Sequence, residues 1–299
     1  MTTRRTAMKA LGALAATLGR AAERIPANKN VKWGLGSNLW TAYFKGTKLT
    51  DILDVMRDTG FIGLRVTQFP KFLETYDMTQ PQMEKEVSKR GLQVVTISFN
   101  GPAQDASKQK EVLESARQAM TFLKEFGASR LVVFSPNRKL GEAEGAFKTM
   151  CECYNRLGEV AGEMGFQAGL HNHMGQIVQN EDELDRCMRM TDPKLFKLSP
   201  DTAHLHLAGM DVPKILDRYK SRLMLADYKD AKRGVANFQQ SIFDLGDGEI
   251  DFPACHRVLR SVSYKGWLIV DLDIARQGPR TSYERCGAYV VGKLEPIYV

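Results

Sequence analysis

Four short apolar runs in the C-terminal half of this 299-residue chain each end in polar side chains spaced two apart. They are FQAGLHNHM (166–174), FKLSPDTAHL (196–205), LMLADYKD (223–230) and GWLIVDLD (266–273). Residues i and i+2 of a strand face the same way, so His171 with His173, Asp227 with Lys229, and Asp271 with Asp273 form three same-facing pairs. Charges that converge away from water need a cation or one another. Together the four runs point to one metal-dependent active site.

The elements that must position these side chains follow from what separates the runs. From Val31 onward, β-like runs alternate with helical ones: KWGLGSN then LTDILDVMRDTG, FIGLRVTQ then QPQMEKEVSKRG, LQVVTISF then an amphipathic stretch through Phe126, and SRLVVFSP then another to Gly165. The four C-terminal runs continue the series, separated by NEDELDRCMRMT, DVPKILDRY and DFPACHRVLRSV, with 282–294 last. Gly60, Gly91, Gly127 and Gly165 stand at helix exits. Eight βα units predict an α/β fold, a closed (β/α)8 TIM barrel in a single domain over 31–299. An open doubly wound sheet ranks second, because GLGSNLW after the first strand lacks a third glycine and does not lead directly into a helix. Barrel active sites lie at the C-terminal ends of strands, where all four polar clusters fall.

With 43% hydrophobic and 26% charged residues and no low-complexity tract, the chain has the make-up of a single enzyme-sized domain. Cys151, Cys153, Cys187, Cys255 and Cys286 are odd in number, and the Cys151/Cys153 spacing is wrong for a CxxC motif; free, buried thiols are expected. Residues 1–27 read differently. Arg4-Arg5 followed by the small apolar run 10–19 resembles a twin-arginine export signal, which predicts a periplasmic protein; the alternative is a basic arm on a cytoplasmic one. The run is too short for a permanent membrane anchor. It carries five basic residues against Glu23, a net of +4, leaving +3 of the chain's formal +7 for the rest and weakening any case for nucleic acid.

HNH at strand five, DTAHLHLAGMD at strand six, Arg222 leading to DYKD at strand seven, LGDGEIDFP in the next loop and a carboxylate ending strand eight resemble the xylose-isomerase-like TIM barrels. That superfamily includes sugar epimerases and isomerases, inosose dehydratase, 3-keto-glycoside lyases and apurinic endonucleases. Position by position, the resemblance implies a single-metal site of His171, Asp201, Asp227 and Asp271, with Asp227 where the family has His, Asp271 where it has Glu, and Gln176 where HNH-type relatives have Glu. One imidazole and three carboxylates suit Mn²⁺ or Mg²⁺, with Zn²⁺ or Fe²⁺ less favoured. Their excess negative charge calls for Lys229 or Arg65 nearby. An ion there would acidify a C–H beside a sugar carbonyl, giving an enediolate that either reprotonates, as in isomerisation or epimerisation, or loses a β-substituent, as in dehydration or glycoside cleavage.

The resemblance implies a small-molecule carbohydrate substrate, and a homo-oligomer is compatible with the chain. His173, His204, Asp271 and Lys229 are the candidates for catalysis. Asn38, Trp40, Arg65, Asn100, His204 and Asp273 are the candidates for holding substrate. Family epimerases use two glutamates, where this chain has His171 and Asp271, an asymmetry that fits one-way elimination better. Plainer roles compete: Asp201 could only cap a helix, Asp227 and Asp271 could pair with Lys229 and Arg276, His206 and His256 read as surface residues, and Trp33, Trp40 and Phe69 as packing. Two other functions compete with the enzyme: an apurinic endonuclease, short of well-placed histidines, and a sugar-binding barrel without catalysis.

Overall fold

Parallel pairing starts at β1 (Val31–Gly36), which is in register with β2 (Gly63–Val66) on one side and β8 (Gly266–Val270) on the other. The computed structural model describes Ile25, residues 30–141 and residues 145–298; apart from Ile25, the proposed signal segment lies outside them. From β2 the ladder continues through β3 (Gln93–Phe99), β4 (Arg130–Phe134), β5 (Gln167–His171) and β6 (Phe196–Leu198), and from β8 to β7 (Ala226–Tyr228). Parallel bridges Leu198–Leu223 and Asp201–Asp227 join the two ends, with Asp227 N–H donating to Pro200 O at 2.8 Å. The expected barrel is present, with helices outside a core of Val, Ile and Leu strand residues.

Local sequence explains where the elements start and stop. Thr79 and Gln82 form a capping box at Gln80–Ser88, Asn180 and Glu183 another at Glu181–Met190, while Asp211 and Asp251 cap helices that carry proline in their first turn. Gly60 leaves its helix at φ +86°, in the left-handed region that glycine enters without cost. The strands are shorter than the apolar runs that announced them. β5 ends at His171, β6 at Leu198 and β8 at Val270, so His173, Asp201, Asp271 and Asp273 sit just beyond the ladder.

Two plainer expectations need correction. His256 is not a surface residue: it is buried, stacked on Trp33 at 5.8 Å with Tyr228 edge-on to it. Arg276 does not pair with Asp271; its guanidinium donates to Ile242 O and Gln240 O and lies on the Phe243 ring. Trp33 is a core residue, and Phe69 packs on Phe122. All five cysteines are buried and free, as expected.

Candidate active site

At the C-terminal mouth of the barrel, one guanidinium and one ammonium hold four buried aspartates. Arg65, at the end of β2, reaches Asp227 Oδ2 at 2.5 Å and Asp271 Oδ2 at 2.8 Å. Lys229 Nζ lies 2.7 Å from Asp271 Oδ2, 2.9 Å from Asp273 Oδ2 and 3.2 Å from Asp201 Oδ2. Burial pushes the His171 imidazole down to about 3, so it is neutral. With all four carboxylates ionised the cluster has four negative and two positive charges, a deficit of two that a divalent cation would cancel.

The orphaned atoms say where. His171 Nδ1, Asp201 Oδ2, Asp227 Oδ1 and Asp271 Oδ1 are buried without a hydrogen-bond partner among the described residues; His171 Nδ1 comes within 3.0 Å of Asp227 Oδ2 but lacks hydrogen-bond alignment. One ligand atom from each of His171, Asp201 and Asp227 lies within 4.8 Å of the others. A buried polar atom left unpaired costs about 1–3 kcal/mol, and these four belong to the residues that the resemblance nominated. His171, Asp201 and Asp227 thus lie close enough to share a divalent ion, whereas Asp271, paired with Arg65 and Lys229, falls outside that three-residue group. The imbalance also shows in proton affinity: burial outweighs the Arg65 guanidinium and pushes Asp227 up to about 7, with Asp271 adding to the rise. For Asp271 burial is outweighed by Arg65 and Lys229, which hold it well below the usual carboxylate range.

Local bonds within the motifs fix the strand ends that carry the cluster. Asn172, the middle residue of HNH, accepts from Asp201 N–H at 3.0 Å and donates to Asp201 O. Thr202 Oγ1 donates to Lys229 O at 2.8 Å and accepts from Lys229 N–H at 2.9 Å, locking DTAH to DYKD. Asp230 accepts from the backbone N–H groups of Ala231, Gly246, Gly248 and Ile250, so the last residue of DYKD pins the LGDGEI loop and is not part of the cluster. Buried Arg222 donates to Met188 O, Thr191 and Phe196 O.

A cavity of about 290 Å³ opens onto the cluster, lined by Asn38, Arg65, Asn100, His171, His173, Lys229, Asp271 and Asp273 among the nominated residues. Asn38 Nδ2 donates to Asp273 Oδ1 at 2.5 Å. The half-buried His173 holds its Nδ1 2.7 Å from Met174 O, which can only accept; Nδ1 therefore carries the proton and Nε2 is the free base. Burial and then Lys229 lower its pKa, leaving it neutral. His204 sits behind the cluster, buried, accepting from Met174 N–H at Nδ1 and stacked on Phe238. Trp40 stacks on Tyr283 and faces a neighbouring cavity. Thr67, Gln68, Ser98 and Phe134 also line the site and were not nominated, although Thr67 and Ser98 follow Arg65 and Thr96 at the two-residue spacing that marks inward positions. His206 is paired with Glu249, away from this cavity.

Residues 53–285 match the family model described as a xylose isomerase-like TIM barrel. The inosose dehydratase of Clostridium perfringens (strain 13 / Type A) is 29% identical over 281 residues, spanning 82% of this chain and 91% of its own length. That of Geobacillus thermodenitrificans (strain NG80-2) is 30% identical over 242 residues, spanning 72% and 78%. Similar solved structures include IOLI protein with a bound zinc atom (TM-score 0.74, 13% identity, 90% of this chain and 99% of that one) and an L-ribulose 3-epimerase (TM-score 0.72, 17% identity, 89% and 95%). At those identities the structural likeness is one of fold.

Proposed function

Because the chain belongs to the xylose isomerase-like TIM barrel family, we propose that it is a divalent-metal-dependent lyase acting on the ketone form of a polyhydroxylated ring. It removes the hydrogen beside the ketone and eliminates the oxygen substituent on the next carbon. The observation that carries this reading is the buried group of His171, Asp201 and Asp227, whose ligand atoms lie within 4.8 Å of one another, beside a cavity of single-ring size. The inosose dehydratase relatives favour elimination over isomerisation or epimerisation, as does the asymmetric pair His171 and Asp271.

One imidazole and two carboxylates, with Asp271 beside them, would hold the ion, a hard set that suits Mn²⁺ or Mg²⁺ better than Zn²⁺ or Fe²⁺. Bound there, it would supply a Lewis acid that polarises the ketone and acidifies the adjacent C–H. His173 Nε2 takes that proton, its tautomer set by the Met174 carbonyl. Lys229, kept charged because Asp201, Asp271 and Asp273 outweigh its burial, offers positive charge on the cavity wall to an oxygen gaining negative charge. Asn38, Ser98, Asn100 and Gln176 supply uncharged hydrogen-bonding groups for ring hydroxyls.

Hydrogen exchange tests the reading. In D₂O with added Mn²⁺, the enzyme should exchange the α-hydrogen of a keto-cyclitol, and His173→Gln should lose about 10²–10⁴-fold of that rate with metal content unchanged. Full exchange in His173→Gln would assign the base to another residue. No exchange with any keto-cyclitol or keto-sugar would exclude this class of chemistry.

A further inference from the structure

Ile25 is part of the folded barrel although it precedes β1. Its side chain is buried in the main hydrophobic core, and its N–H donates to Thr59 O at 3.2 Å. Thr59 ends the helix Leu49–Thr59 and Phe61 stands just ahead of β2, so this contact lies at the N-terminal end of the barrel, opposite the cavity. In such barrels that end serves stability and the other serves catalysis.

A glycine makes the room for it. Gly287 is buried in the helix Pro279–Tyr289, and a Cβ there would stand 3.8 Å from Ile25 Cγ1, from Phe61 and from Thr59 O. Glycine inside a helix is destabilising relative to alanine, whereas burying an isoleucine is favourable. The stable domain therefore begins no later than Ile25, and any processing that spares the fold must cut before it.

The sequence offers few bonds for that cut. Removal of an export signal needs a small-residue A-x-A-like site after an apolar run of about 7–15 residues. The run here is 10–19, and the small pairs Ala13/Ala15, Ala15/Thr17 and Thr17/Gly19 all fall inside it. Gly19-Arg20-Ala21 is the first such site beyond the run. Ile25-Pro26-Ala27 has a branched residue at its first position, and a cut after it would strip Ile25 from the core.

We infer that a signal peptidase hydrolyses the Ala21–Ala22 peptide bond, leaving a mature chain that opens Ala22-Glu23-Arg24 and is fastened to the barrel by Ile25. The inference rests on the export reading of residues 1–27, narrows the discarded part to 1–21, and is independent of the lyase reading. The C–N bond breaks, and water supplies a hydroxyl to the Ala21 carbonyl carbon and a proton to the Ala22 amine. No oxidant or reductant takes part.

Expression of the full chain in a bacterium with twin-arginine export tests it. N-terminal sequencing of the periplasmic protein should begin at Ala22, and its intact mass should be that of residues 22–299. Ala21→Leu puts a large side chain before the bond and should slow cleavage by about tenfold or more, so that precursor accumulates; Glu23→Gln should be processed like the parent. Ile25→Ser should be cut at the same bond, and the mature variant should lose about 4 °C or more of Tm, with Ile25→Val close to the parent. A mature start at any other residue, or uncut chain in the periplasm, would overturn the assigned bond while export still stood. An unchanged Tm in Ile25→Ser would overturn the anchoring role, and wild-type protein confined to the cytoplasm would overturn both the processing site and the export reading.

Discussion

Asp201 divides two tasks between its two oxygens. Oδ1 accepts from the backbone N–H groups of Ala203 and His204, capping the helix Thr202–Leu207, while the buried Oδ2 faces His171 and lies 3.2 Å from Lys229 Nζ. The capping role is therefore filled by one oxygen and leaves the other for the proposed ligand role, so the two are compatible. Substitution can separate them. Asp201→Asn keeps an oxygen for the cap but removes the negative charge, so it should weaken divalent-ion binding by about 10-fold or more with little change in the thermal midpoint. Asp201→Ala removes both and should also cost about 1 kcal/mol of stability for the cap. Elemental analysis of the purified variants with calorimetry checks both; an Asn variant that retains its metal would remove Asp201 from the ligand set.

Strand ends are where most of the site was legible, because the residue types change abruptly there from Val, Ile and Leu to His, Asp and Lys. The alternation of runs was enough for eight strands, and the two-residue spacing for Lys229, Asp271 and Asp273 to share one cavity. What spacing could not convey is how charges pair across strands. Arg65 joins β2 to both Asp227 and Asp271, and only barrel closure brings them together. The site also depends on a residue with no side chain. A Cβ on Gly36, at the end of β1, would sit 2.0 Å from Asp271 Oδ1 and 3.1 Å from the Arg65 guanidinium. Neither can retreat without breaking a buried ion pair, a loss of about 3–5 kcal/mol. Gly36→Ala should therefore displace Asp271, lowering α-hydrogen exchange by about 10²-fold and destabilising the fold, whereas alanine at Gly91, where a Cβ meets nothing, should cost only the strain of its φ of +66°. Unchanged exchange in Gly36→Ala would mean that Asp271 is not held where catalysis needs it.

For the whole molecule, two properties lie outside the site. We propose that residues 1–27 are an export address, so replacing Arg4 and Arg5 with lysine should leave the protein in the cytoplasm, read by fractionation; among the described residues no helix is long and apolar enough to cross a membrane. The second property is acid sensitivity. Helical periodicity did not reveal that His256 of Phe252–Ser261 faces the barrel, because a histidine suits either face of an amphipathic helix until Trp33 and Tyr228 are placed against it. Burial lowers its pKa to about 4, from about 6.5 in an unfolded chain. Between those values the unfolded state binds the extra proton, so stability rises with pH, is complete above about 6.5 and is lost as pH falls towards 4. The full difference is on the order of 3 kcal/mol. His256→Phe keeps an aromatic ring against Trp33 and abolishes the titration, so the fall in unfolding free energy from pH 7 to pH 4.5 should be smaller than in the parent by about 2–3 kcal/mol. Both proteins must be compared at equal metal loading, since His171 and the site aspartates also take up protons in acid. Parallel pH profiles for the two would show that His256 does not contribute to acid unfolding.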